Sequence, residues 1–290
     1  MRKLRKGDLV GRISYNKDVI FEITNIIKTI DNKEIYILKG ITDRIEADSP
    51  PEDLELMDKR LVNSKIKGIE KKILNRIEKC IKYEEYNIKK RNNIFTFSNN
   101  EKRGDTLAYT GKILHLDGDR RYSEKSMKYY KSLGLNAVVK NIPENKQAIM
   151  VKKLLDRYTP DILILTGHDG MIRKGTNFND IYNYRNSRHF INTVTEARKW
   201  NNPKAKELSI FAGACQSYYE AIMLAGANFA SSPKRIMIDF IDPLIVAERI
   251  AMTDKNIYLT IQDIEEELRD GRDGVDGIGS RGKRIIVNNE

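Results

Sequence analysis

Two stretches of this chain share one local build. Ile162-Leu163-Ile164-Leu165-Thr166-Gly167-His168-Asp169-Gly170 and Leu208-Ser209-Ile210-Phe211-Ala212-Gly213-Ala214-Cys215-Gln216-Ser217 are each an apolar run that ends in small residues and then presents one reactive side chain, His168 and Cys215, 47 positions apart. A buried strand of a parallel sheet reads as a continuous apolar run, and such sheets gather ligands and catalytic groups at the carboxyl ends of their strands. Histidine and cysteine are therefore expected on one edge of one sheet, as a thiol nucleophile and its base require.

The text around these runs alternates in the same way from Gly111 onward. Strands are expected at 113–116, 137–139, 161–165, 208–212, 236–240 and 257–260, and helices at 123–133, 144–157, 188–200, 217–224 and 243–252. Strands separated by helical patterns predict an α/β fold, a three-layer parallel sheet with helices on both faces, over 105–290. Before it, Lys6 to Met57 reads as short β segments at 9–13, 19–26 and 34–40 that close at Asp48-Ser49-Pro50-Pro51. Lys6-Gly7-Asp8-Leu9-Val10 resembles the opening strand of SH3-like barrels, so 1–58 is expected to be a small SH3-like β-barrel. Between the two, Val62, Ile66, Ile69, Ile73, Ile77 and Cys80 recur every three or four residues and predict an amphipathic helix over about 59–90. A polar stretch through Gly104 follows, making 59–104 a basic helix and linker.

The chain's formal charge of +11 is concentrated in that helix: residues 59–103 hold 14 Lys+Arg against 5 Asp+Glu, net +9. Such a helix binds nucleic acid or an acidic partner, or is a solvated face; the solvated face is favoured and nucleic acid is not expected. No apolar run approaches the roughly 18 residues that span a bilayer. The basic start is followed by no long apolar stretch, so a cytoplasmic protein is expected. Two cysteines in 290 residues suit a reducing compartment.

Cys215 is expected to open a helix whose positive end lowers its pKa and favours the thiolate. Gly213 and Ala214 let a substrate backbone approach, and the Cys215 N–H can donate to a developing oxyanion. His168 reads as the general base, while His115 in a strand, His189 at a helix start and Cys80 in the basic helix read as structural. With three histidines, no HExxH and no paired cysteines, no metal or organic cofactor is expected. Gly277-Ile278-Gly279-Ser280-Arg281-Gly282 matches GxGxxG, but the eight residues after it leave no room for a dinucleotide fold. It reads as a mobile loop or a surface that closes over the site.

Histidine first and cysteine second, each at a strand end of one sheet, resembles the clan of caspase, legumain, gingipain and separase peptidases. Here Asp169 is inserted between the histidine and its glycine, so either Asp169 or Gly170 would supply a second oxyanion N–H beside Cys215. Lys6-Gly7-Asp8-Leu9-Val10, Thr166-Gly167-His168-Asp169-Gly170, Phe211-Ala212-Gly213-Ala214-Cys215-Gln216-Ser217, Ser231-Ser232-Pro233 and Asp276-Gly277-Ile278-Gly279-Ser280-Arg281-Gly282 together resemble the YabG family of sporulation peptidases of spore-forming Firmicutes. The resemblance implies a mother-cell cytoplasmic protease that trims spore coat and related spore proteins after arginine, with His168 as base and Cys215 as nucleophile.

An arginine pocket needs a carboxylate, since a guanidinium is best held by a bidentate acceptor. In that clan specificity residues come from the loop after the first strand, which here offers Asp117 and Asp119; Asp239 and Asp242 are the reserve. Arg120-Arg121, Lys102-Arg103 and Arg281 are candidate self-cleavage points. Two alternatives stand beside the peptidase. In a glutamine amidotransferase the cysteine precedes its histidine, against the order here. A nucleic-acid or coat-scaffold binder would use the barrel and the basic helix instead.

Overall fold

The computed structural model describes residues 3–98, 106–172, 177–203 and 207–288. Lys102-Arg103 and Gly104 lie outside the described residues, as does the side chain of Cys80.

The amino-terminal unit is an antiparallel meander: β1 (Leu9–Arg12), β2 (Phe21–Lys28), β3 (Glu34–Gly40), β4 (Glu46–Ser49) and β5 (Leu54–Leu56), in the spatial order β4-β3-β2-β1-β5. Alternation along β2 and β3 turns Phe21, Ile23, Tyr36 and Leu38 inward, where they meet Val10, Val19, Ile45 and Leu54. The first three strands match the expectation. The last two are short and polar, and Pro50-Pro51 marks the 3-10 turn Pro51–Asp53 that joins them, not the end of the unit.

Helix α1 (Lys59–Ser98) starts at Asp58, whose carboxylate accepts the N–H groups of Arg60 and Leu61 at 2.7 and 3.2 Å. Its apolar stripe is shared between two units. Val62 and Ile66 pack with Ile20, Ile41 and Met57, whereas Ile73 and Ile77 pack on the α/β core. Lys72 reaches Asp239 at 3.2 Å, and Arg76 pairs with Glu248 and Glu267. Part of the positive charge thus fastens the helix to the rest of the chain.

Beyond it come β6 (Thr106–Tyr109), β7 (Ile113–Asp117), α2 (Arg120–Ser132), β8 (Ala137–Asn141), α3 (Glu144–Tyr158), β9 (Ile162–Thr166), α4 (Ser187–Arg198), β10 (Ser209–Ala212), α5 (Tyr219–Leu224), β11 (Phe229–Ser231), α6 (Asp242–Met252), β12 (Tyr258–Leu259), α7 (Gly271–Gly274), β13 (Val275–Gly277), β14 (Ser280–Arg281) and β15 (Ile285–Asn288). The central sheet has the order β13-β11-β10-β9-β7-β8, with β13 antiparallel to β11 and the other pairs parallel. Odd and even positions of the apolar strands part to opposite faces. Ile162, Ile164 and Phe211 join α2 and α6 in one core, while Leu163, Leu165 and Ile210 join α3, α4 and α5 in the other. This is a three-layer α/β unit. No helix among the described residues is long and apolar enough to cross a membrane.

Three expectations are corrected. The fifth parallel strand is Phe229–Ser231 and not 236–240, because Ser232 and Arg235 take left-handed backbone angles (φ 67° and 57°) on either side of Pro233 and turn the chain out of the sheet. The strand expected at 257–260 is two residues long and pairs with β14. The glycine-rich tail is not a mobile loop: it supplies β13 and β14, and a side chain at Gly277 would overlap the Asn228 carbonyl and the Phe229 backbone.

Candidate active site

The parallel strands deliver Asp117, His168 and Cys215 to the same edge: β7 ends at Asp117, β9 is followed two residues later by His168, and β10 three residues later by Cys215. All three are fully buried.

His168 is held from both ends. Its backbone N–H donates to Glu144 Oε1 at 2.7 Å, and its Nε2 donates to the Gly40 carbonyl at 3.1 Å. Since a carbonyl only accepts, the proton of the neutral ring lies on Nε2, and Nδ1 is the lone-pair nitrogen; it has no hydrogen-bond partner. Burial, with help from the nearby Lys39 charge, pushes the imidazole down to about 4. Sequence reasoning missed Glu144. It opens α3 after Pro143 and lies between the strand-end turns of β7 and β9, so close that a methyl group on Gly118 or Gly167 would overlap its carboxyl. The signal was an acidic residue at a helix start facing two glycines, which only the sheet topology brings together.

Cys215 does not open a helix. It occupies a turn four residues ahead of the six-residue α5, so the dipole argument lapses. The turn needs Gly213 at φ +117°, places Gln216 at φ +55°, and closes with Ala214 N–H donating to Ser217 Oγ at 2.9 Å. Burial raises the thiol to about 12, the reverse of the expected depression. The Cys215 N–H donates to the Arg44 carbonyl at 3.3 Å.

Asp169 and Gly170 part company. The Asp169 N–H also donates to the Arg44 carbonyl, at 3.2 Å, whereas the Gly170 N–H turns back to the Asp169 carboxylate at 2.9 Å. That carboxylate further accepts Asn186 N–H at 2.8 Å, Ser217 Oγ at 2.9 Å and Ser187 Oγ. It ties the histidine loop to the cysteine turn and to the start of α4. Burial raises it to about 6, against the pull of these donors.

Arg44 comes from the loop between β3 and β4 and is the largest fully buried side chain among the described residues. Its guanidinium lies 4.6 Å over the Tyr122 ring and 5.3 Å from that of Phe240, and its Nη1 donates to Asp117 Oδ2 at 2.6 Å. Asp117 also accepts Thr166 Oγ1 at 2.7 Å and Asp119 N–H at 2.8 Å. Burial, the largest single influence, would raise its pKa, but the Arg44 and His115 charges and the hydrogen bonds from Asp119 N–H and Arg44 together outweigh burial and hold it below the ordinary carboxylate value. Asp119 is directed elsewhere: it caps α2 through Arg121 N–H at 2.8 Å and pairs with the Arg121 side chain. Asp239 and Asp242 shape the loop that carries Phe240, with Asp242 accepting the Asp239 and Arg269 N–H groups. His115 is structural as expected, bonded to Tyr130 and Thr166 and driven by burial down to about 3. Arg120 and Arg121 form the first turn of α2, and Arg281 lies in β14.

The edge thus combines a thiol, an imidazole with a free nitrogen, two converging N–H donors and a carboxylate in an aromatic slot. The family model described as YabG peptidase U57 matches residues 5–287, and the chain belongs to this family. It is 36% identical over 247 residues to the sporulation-specific protease YabG of Bacillus subtilis (strain 168), an alignment covering 85% of this chain and 84% of that one. No solved structure matches the chain.

Proposed function

We propose that this chain is a sporulation-specific cysteine endopeptidase that cuts spore coat and related spore proteins after arginine, in the mother-cell cytoplasm. The observation that carries the reading is Arg44: its carbonyl accepts from the N–H groups of both Cys215 and Asp169 while its side chain reaches Asp117. A substrate arginine placed the same way presents its carbonyl carbon to the Cys215 thiol. His168 Nδ1 takes the thiol proton and returns it to the leaving amine, the two N–H groups hold the oxyanion, and water then hydrolyses the thioester. Asp117 is the specificity carboxylate, with Tyr122 and Phe240 as the walls; Asp119 caps the neighbouring helix.

The strand order β8-β7-β9-β10-β11 with an antiparallel strand on one side supports a caspase-like catalytic unit over 105–290. The meander closed by a 3-10 turn supports an SH3-like barrel over 1–58, joined to that unit through the basic helix and linker of 59–104. Incubating the protein and its Cys215→Ala variant with arginine-containing peptides under reducing conditions, and mapping cuts by mass spectrometry, tests the reading. Cuts after arginine that the variant lacks are expected; cuts of equal yield from both would end it.

A further inference from the structure

The glycine-rich tail carries side chains that the edge at Cys215 does not use. At the far end of the central sheet, beside Leu208 and Asn228 just ahead of β10 and β11, the tail closes one side of a cavity of about 570 Å³. Among the described residues its charged lining is Arg198, Arg281 and Lys283 against Glu207, and Tyr258 and Ile278 supply apolar surface. We propose that this cleft binds a small organic dianion, a phosphate monoester or a dicarboxylate, whose oxygens meet the three cations while its carbon body covers Tyr258 and Ile278. The proposal does not depend on the peptidase reading, because Cys215 follows the opposite, carboxyl end of β10.

The cations are set in place before any ligand arrives. Arg198, in the last turn of α4, donates from Nε, Nη1 and Nη2 to the Gly226 carbonyl, the Leu208 carbonyl and Asn228 Oδ1 at 2.8, 2.7 and 2.8 Å. Asn228 in turn donates to the Gly279 carbonyl at 3.0 Å, which ties the arginine to the tail. Lys283 passes Gly111 so closely that a methyl group there would overlap its Cβ, and its Nζ donates to the Glu207 backbone carbonyl at 2.5 Å. An ammonium has three donors, so two are left for a ligand. Arg281 projects exposed from β14, and its side chain makes no hydrogen bond or ion pair with the described residues.

These charges face one another. Burial holds the Lys283 ammonium below its ordinary value, against the pull of the Glu207 and Asp161 carboxylates and with the push of Arg281 and Arg198. Like charges on a concave wall draw anions toward it. Three cations against one carboxylate leave two positive charges, which a dianion neutralises. The size of the cleft suits an organic molecule better than a bare ion, since pockets for such ligands run to about 300–1,000 Å³. Tyr258 and Ile278 are 51% and 69% exposed, yet they are fixed: the tyrosine hydroxyl donates to the Ile278 carbonyl at 3.0 Å, and a methyl group on Gly279 would overlap the tyrosine ring. Apolar side chains held in water beside a basic wall gain a function when a ligand covers them. Such an occupant bridges α4, the starts of β10 and β11, and β14, and therefore stabilises the fold by mass action.

The test is calorimetric titration of the whole chain with phenyl phosphate and with isophthalate at constant ionic strength, beside thermal melts. Saturable binding of at least one of them, tighter than about 1 mM, is expected, with a melting temperature that climbs with ligand concentration. Benzoate, which keeps the ring and one charge, should bind at least about tenfold more weakly, as should either dianion to Arg281→Gln or Lys283→Gln. The exposed position of Arg281 should leave the melt of the free Arg281→Gln protein within a few degrees of the wild type. Binding of phenyl phosphate alone assigns the cleft to phosphate esters, of isophthalate alone to dicarboxylates, and of both to dianions of either kind. Inorganic sulfate that binds as tightly as the organic dianions overturns the role given to Tyr258 and Ile278. Absence of saturable binding by either dianion, or binding that neither substitution weakens, overturns the site.

Discussion

The pairing of Arg44 with Asp117 makes a quantitative claim. Both side chains have no solvent exposure and meet at 2.6 Å, so Asp117→Asn strands a buried cation, which costs about 3–5 kcal/mol. The same change leaves one acceptor oxygen where two served, against the Thr166 hydroxyl and the Asp119 N–H; that adds about 1 kcal/mol. In an Arg44→Met background there is no charge to strand, and only the second cost remains. A double-mutant cycle built on Cys215→Ala should give a coupling of about 3 kcal/mol. Urea unfolding measures it, provided the slope of free energy on denaturant is the same for all four proteins. The same interaction applied to an arginyl substrate predicts a loss of about a hundredfold in kcat/KM for Asp117→Asn. An Asp117→Asn cost that is the same with or without Arg44 would refute the assignment of this carboxylate as the arginine acceptor.

Other expectations follow from neighbouring contacts. Glu144→Ala leaves the buried His168 N–H without its acceptor, which costs about 1–3 kcal/mol of stability; it should lower kcat on an arginine peptide more than it raises KM, and Glu144→Gln, which keeps an acceptor oxygen, should recover most of the loss. Gly213→Ala should prevent a stable fold, seen as loss of a cooperative melt, since φ +117° and the Ser231 hydroxyl both exclude a side chain. In a His168→Asn chain, alkylation of Cys215 at pH 8 should be at least about a thousandfold slower than that of an ordinary thiol, because a thiol raised to about 12 holds almost no thiolate there; peptide mapping separates it from Cys80. The His168 ring, lowered by burial to about 4, refuses a proton that the unfolded chain accepts near 6.5, so stability falls as pH drops through that window. Between pH 7 and 4.5 the loss from this ring is about 2–3 kcal/mol, and denaturant midpoints of Cys215→Ala should lose that much of their pH dependence when His168→Asn is added.

The readable parts of this chain were those whose neighbours in sequence are their neighbours in space. The apolar runs 162–165 and 208–212 became β9 and β10, and the edge bearing His168 and Cys215 followed from parallel topology alone. Asp117 could be placed because it ends the adjacent strand. Three-residue β11 was hidden because Phe229-Ala230-Ser231 is too short for a period to show, while Ile236-Met237-Ile238 is apolar enough to imitate a strand. The thiol's pKa runs opposite to the helix-dipole expectation because Cys215 lies fully buried in a turn ahead of α5, and its neighbours in sequence do not show what covers it. Arg44 was invisible for the same reason. In sequence it is one of 52 cations, sitting in a polar turn, and its partner Asp117 lies 73 positions away.

That long-range partnership bears on how such a pocket folds at all. A carboxylate buried deeply enough to select arginine is itself a burden while the slot is empty, since burial favours its protonated form and the charge stays only where a cation compensates it. Arg44 supplies that cation from within the chain. The same contact serves assembly: it neutralises Asp117 while the sheet edge and the β meander pack around Cys215. Under the peptidase reading, arginine-bearing peptides should therefore be favoured over a neutral analogue such as citrulline by the same coupling that the double-mutant cycle measures.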